Sequence, residues 1–284
     1  MAVSFLFSAV AAVAYIPVAA LLFVILDRYA EPRVSKSLFD EKKVMLTFAV
    51  GIALGLILSV IFVAYAFYLK QGDLGGASLV AVVFLLMAAL LRRILVSTRT
   101  FGGVGGSDPL LPVHTLSYGA VSGGTIALGL GLDFFAAGAP ASDLYLLALV
   151  SAAMILVEAW AGLRFGRAMR KGFSWVPPLS ILFVEGLALV AVAPLFTGYA
   201  VEGYAALVLL AVGAAVAVYR EEPRALRSLR KAVGVEREEA RRTRFGRGSE
   251  EGALPSGGSE PEETGGPSSD PTMTPKDPDP PTVP

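Results

Sequence analysis

Residues 44–69 read VMLTFAVGIALGLILSVIFVAYAFYL, a stretch without a single acidic or basic side chain, closed by Lys43 on one side and Lys70 on the other. A helix of roughly 20 apolar residues crosses the hydrocarbon of a bilayer, and a water-soluble core has no place for a run this long with no polar face. The stretch is a membrane span. Comparable runs lie at 4–26, 78–96, 112–132, 143–163, 178–197 and 201–219, separated by breaks that are polar or rich in Gly and Pro. The expected fold is all-α: a polytopic membrane bundle of seven helices over residues 1–219. The break from Thr197 to Val201 is the shortest, so helices six and seven form either a tight antiparallel hairpin or one re-entrant unit. The first run lacks a basic n-region and, from Phe5 to Leu26, is too long for a signal-peptide h-region, so it reads as a retained span.

Bulk composition agrees. Of 284 residues, 55% are hydrophobic and 17% charged, against about 25% charged in soluble domains. There is no cysteine, which excludes disulfides, thiolate metal sites and cysteine nucleophiles. The net charge of zero hides a strong local asymmetry. The first loop carries Arg28, Arg33, Lys36, Lys42 and Lys43, the third Arg92, Arg93 and Arg99, and the fifth Arg164, Arg167, Arg170 and Lys171. The intervening loops carry only Lys70. Basic loops stay in the cytoplasm, so the N-terminus is expected outside and the C-terminus inside. Tyr65, Tyr68, Tyr145, Tyr199 and Tyr204 are read as anchors at the outer boundary and Trp175 at the inner one. A prokaryotic cell membrane is the expected location.

Beyond the seventh span the chain divides twice. Residues 220–247 hold ten basic and five acidic side chains, with Leu226, Leu229 and Val233 at helical spacing. This reads as a juxtamembrane helix on the inner leaflet, where Arg220, Arg224, Arg227, Arg230 and Lys231 would meet anionic lipid. Residues 248–284 hold eight acids against one base, Lys276, and 15 of their 37 positions are Gly or Pro. Such a tail forms no core and reads as disordered. The basic stretch is assigned to lipid, not nucleic acid, because of its place beside the membrane.

Glycine pairs recur where helices could approach closely: Gly51 with Gly55, and Gly119 with Gly123, followed by Gly124, Gly129 and Gly131. Packing within the bundle is the first reading of these faces and a homodimer seam the second.

Ionisable groups inside a bilayer are costly and mark function by default. Glu185 falls near the middle of the sixth span and Glu158 within the fifth; His114, the one histidine, opens the fourth. One reading gathers His114, Glu158 and Glu185 around a metal or along a proton path, with the two glutamates as the catalytic candidates. The other pairs Glu158 with Arg164 or Arg93, leaves His114 at the wet interface, and keeps Glu185 neutral or hydrogen-bonded. No pattern names a cofactor. The seventh helix has no lysine for a retinal Schiff base, Gly102, Gly103, Gly105 and Gly106 lack the Lys-Ser/Thr ending of a phosphate loop, and no GxSxG occurs.

Asp27-Arg28-Tyr29-Ala30-Glu31-Pro32 closes helix one, Arg92-Arg93 closes helix three, Tyr118-Gly119-Ala120-Val121 leads into a Gly-rich helix, and Gly162-Leu163-Arg164-Phe165-Gly166 closes helix five. In this order the chain resembles the PrsW-type intramembrane metalloproteases over roughly residues 15–195. The resemblance implies a multi-helix membrane protease. It also implies a paired-glutamate motif on helix three, where this chain has Phe84-Leu85-Leu86-Met87-Ala88-Ala89-Leu90. The family's next acid would fall near Asp133 and its histidine near Met154. No catalytic residue carries over. The leading functional expectation is a non-catalytic scaffold that recruits a protein partner through its cytoplasmic tail. The alternatives are a divergent metalloprotease and a small-solute or ion transporter using Glu185.

Overall fold

The computed structural model describes residues 2–29, 41–97, 110–136, 138, 143–170, 176–199 and 201–223. Seven helices cover these segments: α1 (Ala2–Tyr29), α2 (Glu41–Lys70), α3 (Leu74–Ser97), α4 (Leu111–Ala136), α5 (Leu144–Arg170), α6 (Val176–Phe196) and α7 (Val201–Pro223). Each is long and apolar enough to cross a membrane, and no strand occurs among the described residues. The protein is an all-α, multi-pass membrane protein. The seven expected spans recur, several of them longer than the apolar runs. The predicted basic helix beyond Pro223, with Arg224, Arg227, Arg230 and Lys231, and the acidic tail lie outside the described residues; Arg220 is exposed on the last turns of α7.

Helices α4 and α5 form the centre. Their spans are 67% and 72% buried, against 22% for α1, α3 and α7, whose outer faces present Phe23, Leu79 and Leu209 to lipid. The α4–α5 interface is made backbone to backbone. A Cβ on Gly119 would collide with the Glu158 carbonyl, one on Gly162 with the Thr115 carbonyl, and one on Gly123 would lie 2.8 Å from Ile155 Cα. Gly51 and Gly55 of α2 meet Val121 and Thr125 of α4 in the same way. Both glycine pairs are thus used inside the chain, where small residues let helices approach without a hydrophobic driving force.

Polar contacts fasten α1. Pro17 has no N–H, so the Val13 carbonyl loses its helical donor. Ser151 Oγ of α5 donates to that carbonyl and to the Ala14 carbonyl, each at 3.3 Å. Tyr15 and Thr125 share a hydroxyl hydrogen bond of 2.8 Å between α1 and α4.

Two tight turns share a device. Gly72 (φ 74°) ends α2 and Gly198 (φ 89°) ends α6, each in the left-handed region that glycine adopts without strain. At the first, Asp73 Oδ1 accepts from the Gly76 N–H at 2.9 Å and caps α3. At the second, the Tyr199 N–H returns to the Pro194 carbonyl at 2.9 Å. Helices six and seven are two spans joined by a tight turn, which settles that pair in favour of the hairpin.

Two boundary expectations are corrected. Arg92 and Arg93, counted with the third loop for orientation though inside the run 78–96, belong to α3, and Arg164, Arg167 and Arg170, counted with the fifth loop, belong to α5. Helical backbone satisfies its own polar groups, so a helix continues past the hydrocarbon until a breaker intervenes. Tyr65 is also no boundary anchor: it is buried and donates to the Leu189 carbonyl at 3.0 Å.

Candidate functional site

Three charged side chains meet inside the bundle. Arg92 of α3, Glu158 of α5 and Glu185 of α6 are 2%, 1% and 2% exposed. Each sits at a position where its helix turns inward. On α3 the buried residues include Phe84, Ala88, Leu91, Arg92 and Leu95; on α6 they include Ile181, Glu185, Ala188, Leu189 and Val192. These are the i, i+4, i+7 spacings of a helix face directed at its neighbours. On α5 the carbonyl of Glu158 abuts Gly119, which brings α4 hard against this turn.

Arg92 Nη2 donates to Glu158 Oε2 and forms an ion pair with Glu185 Oε1, so both carboxylates converge on one nitrogen. Helix polarity explains the meeting. Side chains lean toward the N-terminus of their own helix. Arg92 lies five residues from the end of α3, and its N-terminal lean carries the guanidinium away from the nearby membrane surface and into the bundle. Glu185, nine residues into the antiparallel α6, leans the other way, toward the arginine. Tyr118 of α4, almost fully buried, lies within electrostatic reach of all three. Arg92 Nε, Glu158 Oε1 and Glu185 Oε2 have no hydrogen-bond partner in the protein.

With all three groups ionised the cluster carries one net negative charge, on helices whose neighbouring turns bury the apolar Met154, Ala161 and Leu189. An uncompensated charge in such a place is costly, and one guanidinium balances only one carboxylate.

Two further ionic groups lie at the ends. At one, Glu221 of α7 pairs with Arg167 and, at 3.4 Å, with Arg164, whose guanidinium carbon sits 5.4 Å from the centre of the Trp160 ring. At the other, Lys70 pairs with Asp133 at 3.5 Å and lies 5.1 Å and 5.8 Å from the ring centres of Phe134 and Phe196.

These contacts correct the simple pairings. Glu158 is bound by Arg92, not by Arg164 or Arg93. Arg164 is six residues from Glu158, not the three or four that put side chains on one face, and it turns to Glu221. Arg93, one position on from Arg92, is exposed. Glu185 is ion-paired. His114 is 4% exposed and so is no solvated boundary residue. Among the described residues no three His, Cys, Asp or Glu side chains are grouped to hold a metal ion, so His114 does not join the two glutamates as a ligand set. The positions marked by the protease resemblance hold core residues, Phe84, Ala88 and Met154, and the Lys70-paired Asp133.

Sequence reasoning found both glutamates and missed their partner. The signal for Arg92 was its spacing of four from Ala88 and eight from Phe84, both apolar.

Comparisons with protein-family models, with curated proteins and with solved structures find no match.

Proposed function

We propose that the protein is a proton-coupled carrier of small solutes in the cell membrane, with the Arg92–Glu158–Glu185 cluster as its proton site. The observation that carries this reading is the convergence of two buried carboxylates on one guanidinium. Glu158 and Glu185 both ionised leave a charge unbalanced; a proton on either one makes the cluster neutral. A site of this kind takes up and releases one proton as its access to water changes. The same proton decides which of the two acids, on α5 or on α6, stays ion-paired to Arg92 of α3. Intramembrane acids that pair with a base and mark proton relays are the usual equipment of pumps and transporters. Tyr118 adds a hydroxyl within reach from α4. The scaffold reading rests on residues 248–284, outside the described residues, and nothing in the bundle favours it.

Infrared difference spectra of the reconstituted protein, taken while the pH is stepped, test the proposal. The wild type should show one protonated-carboxyl band that is lost on alkaline titration and shifted or absent in Glu185→Gln and Glu158→Gln. If the wild type has no protonated carboxyl beyond those of exposed acids, or if both variants keep its band unchanged, the proton site is wrong.

A further inference from the structure

A lateral groove between α6 and α7 has a volume of about 650 Å³, inside the range of drug-sized ligand sites. Trp160 of α5 forms part of its wall; Val184, Leu187, Leu209 and Gly213 line it, and its walls are almost wholly apolar. Leu187 and Leu209 are exposed on the faces that lipid would cover, so the groove opens sideways. A Cβ on Gly213 would touch nothing within 4 Å, so the groove is wide at this turn. Among the described residues that line it, one is ionisable: Glu202, exposed on the first turn of α7. Trp160 and Val184 stand two residues from Glu158 and one from Glu185. The groove therefore borders the turns of α5 and α6 that carry the two acids, on a different side of each helix.

We infer that this groove binds an apolar organic cation drawn from the membrane. The apolar walls accept the body of such a molecule and the Glu202 carboxylate its charge, while an anion of the same shape is repelled. The inference rests on the carrier reading and names its substrate class: a lipophilic cation exchanged against the proton on the Arg92 cluster. Removal of one positive charge at the groove and arrival of another at the cluster leave the bundle's charge unchanged.

The test uses the full-length chain in lipid nanodiscs with radiolabelled tetraphenylphosphonium, and empty nanodiscs as the partition blank. Saturable binding above the blank is expected. Gly213→Trp, which fills the groove, should abolish it, and Gly213→Ala, which adds one methyl to open space, should not. Glu202→Gln should weaken binding about two- to fivefold, the size of an exposed charge contact. Tetraphenylborate should fail to compete. Binding equal to the blank, binding that survives Gly213→Trp, or equal competition by tetraphenylborate each overturn the inference. Thermal unfolding of Gly213→Trp at the wild-type midpoint shows that loss of binding is not loss of fold. The infrared band separates the two ideas: lost binding with the band intact sinks the groove, and intact binding without the band sinks the proton site.

Discussion

Changing the charge balance of the Arg92 cluster one residue at a time should give an order of stabilities that no other arrangement predicts. In the wild type one guanidinium faces two carboxylates, all nearly inaccessible. Glu158→Gln or Glu185→Gln leaves one acid and one base, a balanced pair, and the glutamine amide still accepts from the guanidinium. Either variant should unfold within about 1 kcal/mol of the wild type, the scale of one exchanged hydrogen bond. Arg92→Met leaves two carboxylates without a cation. Removing one partner from a buried ion pair costs about 3–5 kcal/mol, and here two acids lose the same partner. Combining Arg92→Met with both glutamine changes removes every charge, and most of the loss should return. Unfolding midpoints in one detergent at one pH, by tryptophan emission from Trp160 and Trp175, measure the series. If Arg92→Met is no less stable than Glu158→Gln, or if the triple variant is the least stable of all, the three groups do not balance one another and the reasoning fails.

Three other outcomes are open to measurement. Gly119→Ala, whose methyl would strike the Glu158 carbonyl, should destabilise the bundle by about 1–3 kcal/mol, while Gly186→Ala, whose methyl would have only Leu85 Cδ1 at 3.9 Å, should be neutral or stabilising in the same unfolding assay. Because the chain has no cysteine, Gln71→Cys and Arg170→Cys can be labelled singly; in sealed right-side-out vesicles an impermeant maleimide should reach position 71 and not 170, and the reverse would invert the assigned orientation. Spin labels at Ile94 and Leu179, exposed positions on α3 and α6, should report a broader distance distribution in Glu185→Gln than in the wild type if the ionic contact ties these helices together; identical distributions would remove the cluster as the link.

The span count was legible because bilayer thickness acts on each helix separately: 26 uncharged residues at 44–69 need no knowledge of any neighbour. The glycine faces were legible for a similar reason, since Gly119 and Gly123 share one side of one helix, but which helix they meet was not, because α5 lies a loop away and only the fold pairs Gly119 with Glu158. Glu158 and Glu185 stood out as acids in apolar runs. Arg92 did not: beside Arg93 and near Arg99 it looks like one more member of a cytoplasmic cluster, and basic loops are what orientation rules count. The two arginines differ by about 100° around α3, and that rotation, not composition, decides which enters the bundle. Glu221 was likewise counted with the basic stretch, and only the length of α5 brings Arg164 and Arg167 to it.

The division of labour inside the bundle argues that the charged cluster is a connection and not a cornerstone. Helices α4 and α5 are joined by backbone contact at Gly119, Gly123, Gly162 and Gly166, where no side chain can be removed to loosen them. A bundle held by such packing has no need of buried ions for stability, and buried ions add little to it once their desolvation is counted. Arg92 and Glu185 instead come from α3 and α6, helices with far less buried surface, and Arg92 binds both Glu185 and Glu158, the one acid on the deeply buried α5. The ionic contact is thus placed where a deeply buried helix meets two less deeply buried ones, on turns of α5 and α6 that the α6–α7 groove borders. A change of one charge there acts on the part of the bundle that packing holds least, which is the position a proton-driven change of shape requires.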